Sequence, residues 1–273
     1  MDFIIFFYLC KEIKPLKDSI IMKLSLSLFL LSICFSSVVL AQPRIVAHRG
    51  YWKTDGSAQN SLTALQKSAD IGLYGSEFDV WITADGVPVV FHDAVWDGKR
   101  IDESTYPELM SRRLPNGEFL PTLQQYLQLG KKLPYTKLIL EIKSHKNDER
   151  NLKIVQKCVE LVRELQLEKQ VEYIAFSRYV CEQLIALSPN SKVAYLNGDI
   201  EPAQIKKMGL TGIDYHHSVF KKNPKWLKQA KKRGLEVNVW TVNGKEALEE
   251  FAKMEGIDLI TTDEPTVLQE IIK

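Results

Sequence analysis

Residues 75–93 read GSEFDVWITADGVPVVFHD, and two β periodicities meet in that stretch. Over 75–82 the side chains alternate, with Glu77 and Asp79 on one face and Phe78, Val80 and Ile82 on the other. A strand that is oily on one face and doubly acidic on the other needs an apolar covering outside and a solvated or liganded cavity inside. Ala84-Asp85-Gly86-Val87 then supplies an Asp-Gly turn between apolar runs, a strong hairpin signal, and leads into a second β segment, PVVFHD, over 88–93. A two-residue turn at 85 and 86 sets Pro88 opposite Thr83 and His92 opposite Asp79. Pro88 has no N–H to donate and so confines this arm to a sheet edge.

Similar β-rich runs recur on either side: RIVAHR (44–49), KLILEIK (137–143), VEYIAFS (171–177), KVAYLN (192–197), GIDYHH (212–217), EVNVWTV (236–242) and DLITTD (258–263). With 75–82 they make eight strands divided by helix-length segments. One such segment runs from Leu62 through Leu65 and Ala69 to Gly72, with Asn60 or Ser61 as its N-cap. Strand and helix in alternation predict an α/β fold of parallel units, a closed (β/α)8 TIM barrel over residues 42–273 as a single domain, with a small β-hairpin extension after the second strand.

The inward face of such a barrel is chemically loaded. Ile139, Glu141 and Lys143 share one face of the third strand, so Glu141 joins Glu77 and Asp79 near the mouth. Three converging carboxylates repel one another unless protonated or held by a cation, and hard oxygen donors suit Ca²⁺ or Mg²⁺ rather than Zn²⁺. Lys143 and Arg49 add fixed positive charge of the kind a phosphate needs, and Arg49 can grip it in bidentate fashion. His48, at the end of the first strand, and His92, from the hairpin, are imidazoles able to exchange protons near neutral pH. The first strand stops at His48-Arg49-Gly50 because it has reached the mouth, where Gly50 lets the chain turn. Trp240 is read as an apolar wall of the substrate pocket and His216 as a further pocket residue; its neighbour His217 points the other way. His145, in the polar stretch SHKNDER, reads as a solvated loop residue, and the basic run KKNPKWLKQAKKR (221–233) as a solvated helix face.

Composition narrows the function classes. A hydrophobic share of 45% supports a large core, and a net charge of +2 argues against a protein that coats nucleic acid. Residues 22–41, MKLSLSLFLLSICFSSVVLA, have the charge, apolar run and small-residue end of an export signal, with cleavage expected after Ala41. The run is short and dotted with serines, so a stable membrane span fits less well, and Ile33 before Cys34 makes a poor lipid-anchor site. Residues 1–21 precede a complete signal and read as a start placed too early. The expected location is therefore periplasmic or secreted. Only Cys158 and Cys181 lie beyond the leader, which is not a disulfide framework; both read as packed on helices.

His48-Arg49-Gly50, Glu77-Phe78-Asp79, Val89-Val90-Phe91-His92-Asp93 and Leu140-Glu141-Ile142-Lys143, in this order and spacing, resemble the glycerophosphodiester phosphodiesterase family. Leu120-Pro121-Thr122-Leu123, Val239-Trp240-Thr241-Val242-Asn243 and Thr261-Thr262-Asp263 extend the resemblance over the rest of the chain. It implies a barrel enzyme that hydrolyses small-molecule glycerophosphodiesters to glycerol 3-phosphate and an alcohol. It also implies a divalent metal on Glu77, Asp79 and Glu141, acid–base work by His48 and His92, and phosphate contacts from Arg49 and Lys143. One departure is Ala58-Gln59-Asn60, where the family usually carries Pro-Glu-Asn. The alternatives are a lysophospholipid or other phosphodiester as substrate of the same site, and a noncatalytic phosphoester-binding protein.

Overall fold

The computed structural model describes residues 42–273; the leader expected over 1–41 lies outside the described residues. Eleven strands follow in chain order: β1 (Arg44–Ala47), β2 (Gly75–Ile82), β3 (Pro88–Val90), β4 (Val95–Trp96), β5 (Lys99–Arg100), β6 (Lys137–Ile142), β7 (Val171–Ala175), β8 (Val193–Tyr195), β9 (Gly212–His216), β10 (Glu236–Trp240) and β11 (Leu259–Thr262). The helices are α1 (Leu62–Asp70), α2 (Tyr106–Leu109), α3 (Leu123–Lys131), α4 (Asp148–Glu164), α5 (Arg178–Leu187), α6 (Pro202–Lys207), α7 (His217–Lys222), α8 (Lys225–Lys232), α9 (Lys245–Ala252) and α10 (Pro265–Ile271).

Eight parallel strands, β1, β2 and β6 to β11, neighbour one another in that order, and the ring closes where β1 pairs β11 from Arg44↔Leu259 to Ala47↔Thr262. Closure leaves no free edge among the eight and is the (β/α)8 barrel that the alternating pattern predicts. The alternation on β2 and β6 sets the layers. Phe78, Val80, Ile82, Leu138, Leu140 and Ile142 face outward into one core with Leu65 of α1, Leu127 of α3 and Ile154 of α4, while Val46, Ile139, Ile174, Leu196 and Leu259 plug the interior. Side-chain caps start the helices that cover this face: Ser61 accepts from Ala64 N ahead of α1, Thr122 and Gln125 form a reciprocal box at α3, and Asn147 accepts from Arg150 N at α4. Cys158 on α4 and Cys181 on α5 are buried and free. Among the described residues no helix is long and apolar enough to cross a membrane.

The hairpin forms, but its register differs by one residue from the expected one. Val80, Trp81 and Ile82 pair Val90, Val89 and Pro88, so Pro88 faces Ile82 rather than Thr83. The reason lies in the turn. Gly86 N donates to Thr83 O (3.1 Å) and Thr83 N to Val87 O (3.0 Å), with Gly86 at φ +88°. This is a tight turn followed by a left-handed glycine, a three-residue loop in place of two. Phe91, whose N donates to Asp79 O at 3.0 Å, thus takes the place expected for His92. β3 lies at the end of the sheet, as its proline requires.

Beyond β3, the segment to Leu120 packs Trp96, Ile101, Leu109, Leu114 and Leu120 with Ala58 and Val89 into a second, smaller core. His145 corrects another expectation: its side chain is fully buried rather than solvated. Asn151 of α4 accepts from His145 N (2.7 Å) and draws the loop inward, setting the imidazole edge-on to Trp81 at 5.2 Å. In the basic run, Leu227 and Ala230 bury one side of α8 while its lysines remain exposed.

Candidate active site

The mouth is built from the strand ends. After β1, Arg49 (φ +56°) and Gly50 (φ +75°) turn the chain sharply beneath α1, where a Cβ on Gly50 would lie 2.6 Å from that of Ala64 and 2.9 Å from its carbonyl carbon. No other residue fits that place without displacing the helix. The turn aims Arg49 N at Glu77 Oε2, 2.7 Å away. Asn60, also left-handed at φ +61°, clamps the neighbouring acid: its Nδ2 donates to Asp79 Oδ2 (2.8 Å) and its Oδ1 accepts from Asp79 N (3.1 Å).

Glu77, Asp79 and Glu141 each offer an oxygen within 4.8 Å of the others, all buried. Lys143 Nζ lies 2.7 Å from Asp79 Oδ1 and 2.5 Å from Glu141 Oε1. Arg49 Nε stands 3.9 Å from Asp79 Oδ2, and its Nη1 donates to Gln59 Oε1 at 2.8 Å. Two cations thus face three anions, and Glu77 is the acid without one. Burial, with Asp79 and Glu141 adding repulsion, raises its carboxyl well above the usual range, and its Oε1 has no hydrogen-bond partner. Burial and Asp79 also push Glu141 up to about 7. Burial would raise Asp79 too, but Lys143, His92 and Asn60 together outweigh it and hold that carboxyl low. Three hard oxygen donors short of positive charge, one of them orphaned, fit a divalent cation bound by oxygen.

Two imidazoles complete the polar side. His48 Nδ1 lies 2.8 Å from Asp263 Oδ1, across the β1–β11 seam. Asp263 also accepts from Trp52 Nε1 (3.1 Å) and Asn243 Nδ2 (2.7 Å), and against a burial cost these donors, His48 foremost, hold it down at about 2. His92 Nδ1 lies 2.7 Å from Asp93 Oδ1, its carbonyl accepts from Trp81 Nε1 (3.0 Å), and burial draws its pKa down. Each ring thus has Nδ1 engaged by a carboxylate and Nε2 free for chemistry.

His48, Arg49, Glu77, His92, Glu141 and Lys143 line a cavity of about 220 Å³ whose opposite side is Ile174, Phe176, Leu196 and Trp240. Asp79 is not itself on the cavity wall and meets it through its contact with Lys143 Nζ. His216 is not brought to the cavity wall. β9 ends on it, its Nδ1 accepts from Ser218 N (3.3 Å) as the cap of α7, and its ring packs edge-on to Trp240 at 5.2 Å. Sequence reading missed Asp263, Phe176 and Asp214, the last on the cavity floor. Inward parity on β7 and β9 marks Phe176 and Asp214, and the adjacency of the first and last strands in a closed barrel marks Asp263.

Residues 48–267 match the model of the glycerophosphoryl diester phosphodiesterase family. A glycerophosphodiester phosphodiesterase of Caldanaerobacter subterraneus subsp. tengcongensis is 26% identical over 84% of this chain and 97% of its own. Among solved structures, a glycerophosphodiester phosphodiesterase from Parabacteroides distasonis is 48% identical, with a TM-score of 0.83 over 85% of this chain and 97% of that one. An Oleispira antarctica phosphodiesterase, solved in complex with the product sn-glycerol-3-phosphate, shares the fold at 22% identity and a TM-score of 0.71, over 85% and 97% of the two chains. With its match running unbroken from His48 to the last helix, the chain belongs to the glycerophosphoryl diester phosphodiesterase family.

Proposed function

We propose that the barrel mouth hydrolyses glycerophosphodiesters to glycerol 3-phosphate and an alcohol, with Glu77, Asp79 and Glu141 holding a divalent ion, Ca²⁺ or Mg²⁺. The observation that carries this reading is the buried three-carboxylate cluster, within 4.8 Å, opening onto the cavity that both imidazoles line. A bound ion supplies Lewis-acid polarisation and offsets the carboxylate charge. Arg49 and Lys143 bind the phosphate oxygens and stabilise the charge that builds on them. One imidazole Nε2 takes a proton from the attacking water, whose oxygen forms the new bond to phosphorus and stays on glycerol 3-phosphate. As the bond from phosphorus to the leaving oxygen breaks, the other delivers a proton to that oxygen; each such transfer contributes about 10²–10⁴-fold. Asp263 and Asp93 hold the two rings in the tautomer that leaves Nε2 facing the cavity. Phe176, Leu196 and Trp240 give the leaving alcohol an apolar wall and exclude water from that side.

The test is release of glycerol 3-phosphate from glycerophosphocholine and glycerophosphoethanolamine by residues 42–273, with EDTA and then with Ca²⁺ or Mg²⁺ restored. Turnover lost with EDTA and regained with one ion supports the proposal and identifies the metal. Undiminished turnover in EDTA would remove the ion from the mechanism, and no turnover with any ion would favour a binding-only protein. The export signal at 22–41 belongs to the same proposal, and an N-terminus other than Gln42 on the protein recovered from cells would count against it.

A further inference from the structure

Asp214 sits on the floor of the active-site cavity with no cationic side chain paired to it among the described residues. It projects inward from β9, is 2% exposed, and lines both the mouth cavity and a small cavity of about 30 Å³ beneath it. Its Oδ1 has no hydrogen-bond partner, nor has Oδ1 of Asn238 on the adjacent strand, whose Nδ2 is spent on Thr261 Oγ1 at 2.8 Å. Burial pushes its carboxyl up to about 7 against the opposing pull of the neighbouring Asn238 side chain, and the charged groups it senses, Glu141 and Glu236, are both acids. Above it stand aromatic walls. Trp240 Nε1 donates to the carbonyl of Asp214 (2.8 Å), which fixes the indole over the floor, and Phe176 meets that indole edge-on at 5.6 Å.

Unpartnered buried acceptors require a donor, and an unpaired buried carboxylate between aromatic faces favours a cation. Arg49 and Lys143 fix the phosphate on the opposite side, so an ester group directed away from the carboxylate cluster lies against Phe176 and Trp240, over Asp214. We propose that Asp214, walled by Phe176 and Trp240, forms a subsite for the ammonium group of an amino-alcohol leaving group. The chain then favours phosphodiesters of glycerol with ethanolamine or choline over those with a neutral alcohol. This rests on the glycerophosphodiester reading above. The two cations use the subsite differently: a primary ammonium donates to Asp214, whereas a quaternary one relies on charge and the aromatic faces.

The experiment compares kcat/KM for glycerophosphoethanolamine, glycerophosphocholine and glycerophosphoglycerol in the wild type, Asp214→Asn and Phe176→Leu, read as ratios of ammonium to neutral substrate. The wild type should prefer the ammonium substrates about tenfold or more, and Asp214→Asn should erase about tenfold of that ratio, chiefly through KM. Phe176→Leu, at a position 38% exposed that tolerates change, should lower the choline ratio more than the ethanolamine ratio, and it remains informative if Asp214→Asn does not fold. A wild type that shows no preference, or a ratio unmoved in a folded Asp214→Asn, overturns the subsite while leaving the phosphodiesterase reading intact. Turnover of none of the three substrates by the metal-loaded wild type would overturn both.

Discussion

Replacing Asp263 by Asn keeps the shape of the side chain and removes its charge, which isolates the part Asp263 plays for His48. The carboxylate accepts from three donors: His48 Nδ1 at 2.8 Å, Asn243 Nδ2 at 2.7 Å and Trp52 Nε1 at 3.1 Å. An asparagine has one acceptor oxygen, and its amide would point a donor at one of these three. Asn243 cannot simply turn over, because its Oδ1 already accepts from Asp263 N (2.9 Å) and Thr262 Oγ1 (3.1 Å). The substitution therefore forfeits one hydrogen bond to a charged group and the carboxylate that stabilises an imidazolium, together about 2 kcal/mol. At 1.36 kcal/mol per decade that is about a 30-fold loss in kcat. KM should hold, because Asp263 does not line the cavity and Arg49 and Lys143, the proposed phosphate ligands, are untouched. The assay is steady-state release of glycerol 3-phosphate at saturating metal, with the melting temperature checked in parallel. A kcat within twofold of wild type in a folded variant would refute the argument that Asp263 orients the catalytic ring.

Further outcomes follow from the same geometry. Glu77→Gln should abolish metal-dependent turnover and calorimetric metal binding, yet raise the melting temperature in EDTA, because it removes an acid whose charge burial, Asp79 and Glu141 all oppose and whose Oε1 is unpartnered, while an amide oxygen can still accept from Arg49 N; a fall in EDTA would contradict this. Glu141 and Asp214, both pushed up to about 7, bind protons in the folded state that the unfolded chain has released above its ordinary carboxylate pKa. The EDTA-treated protein should therefore lose stability as pH rises from about 5 to 8, and a flat melting profile over that range would count against it. Gly50→Ala, with its Cβ forced against Ala64, should cost about 2 kcal/mol or more of stability and lower kcat with it, measured by urea unfolding and turnover. Gln59→Glu would turn the bond to Arg49 Nη1 into a charge-assisted pair and draw charge from the phosphate site, so KM should rise several-fold; an unchanged KM would place Gln59 outside substrate binding.

Much of this site was legible because β parity is unforgiving. Once Phe78, Val80 and Ile82 are outward, Glu77 and Asp79 have only the interior, and the same parity on β6 delivers Glu141 and Lys143. β2 runs from Gly75 to Ile82 as its alternation predicts. The hairpin register escaped because the Asp-Gly signal fixes the position of the turn but not its length; the backbone of Gly86 decides that. His145 was misread because a run of polar neighbours says nothing about one member folded beneath them onto Trp81. Asp263 lies 215 residues from its partner, a pairing visible only after the ring is closed in the mind. His216 has the correct parity for the interior, yet the chain converts it into a helix cap at the rim.

The seam between β1 and β11 also sets the order of events during synthesis. Until residues 259–262 leave the ribosome, β1 lacks one of its two neighbours and is held only by its short pairing with β2, at Val46↔Gly75 and Ala47↔Ser76. His48 waits equally long for Asp263. Without β11 the barrel would have neither a sealed cylinder nor a carboxylate beside His48, whereas the pairing of β2 with β6 that gathers the acid cluster does not involve that strand. Closure of the barrel and orientation of the His48 imidazole therefore depend on one and the same strand end, so the scaffold and this part of the site stand or fall together.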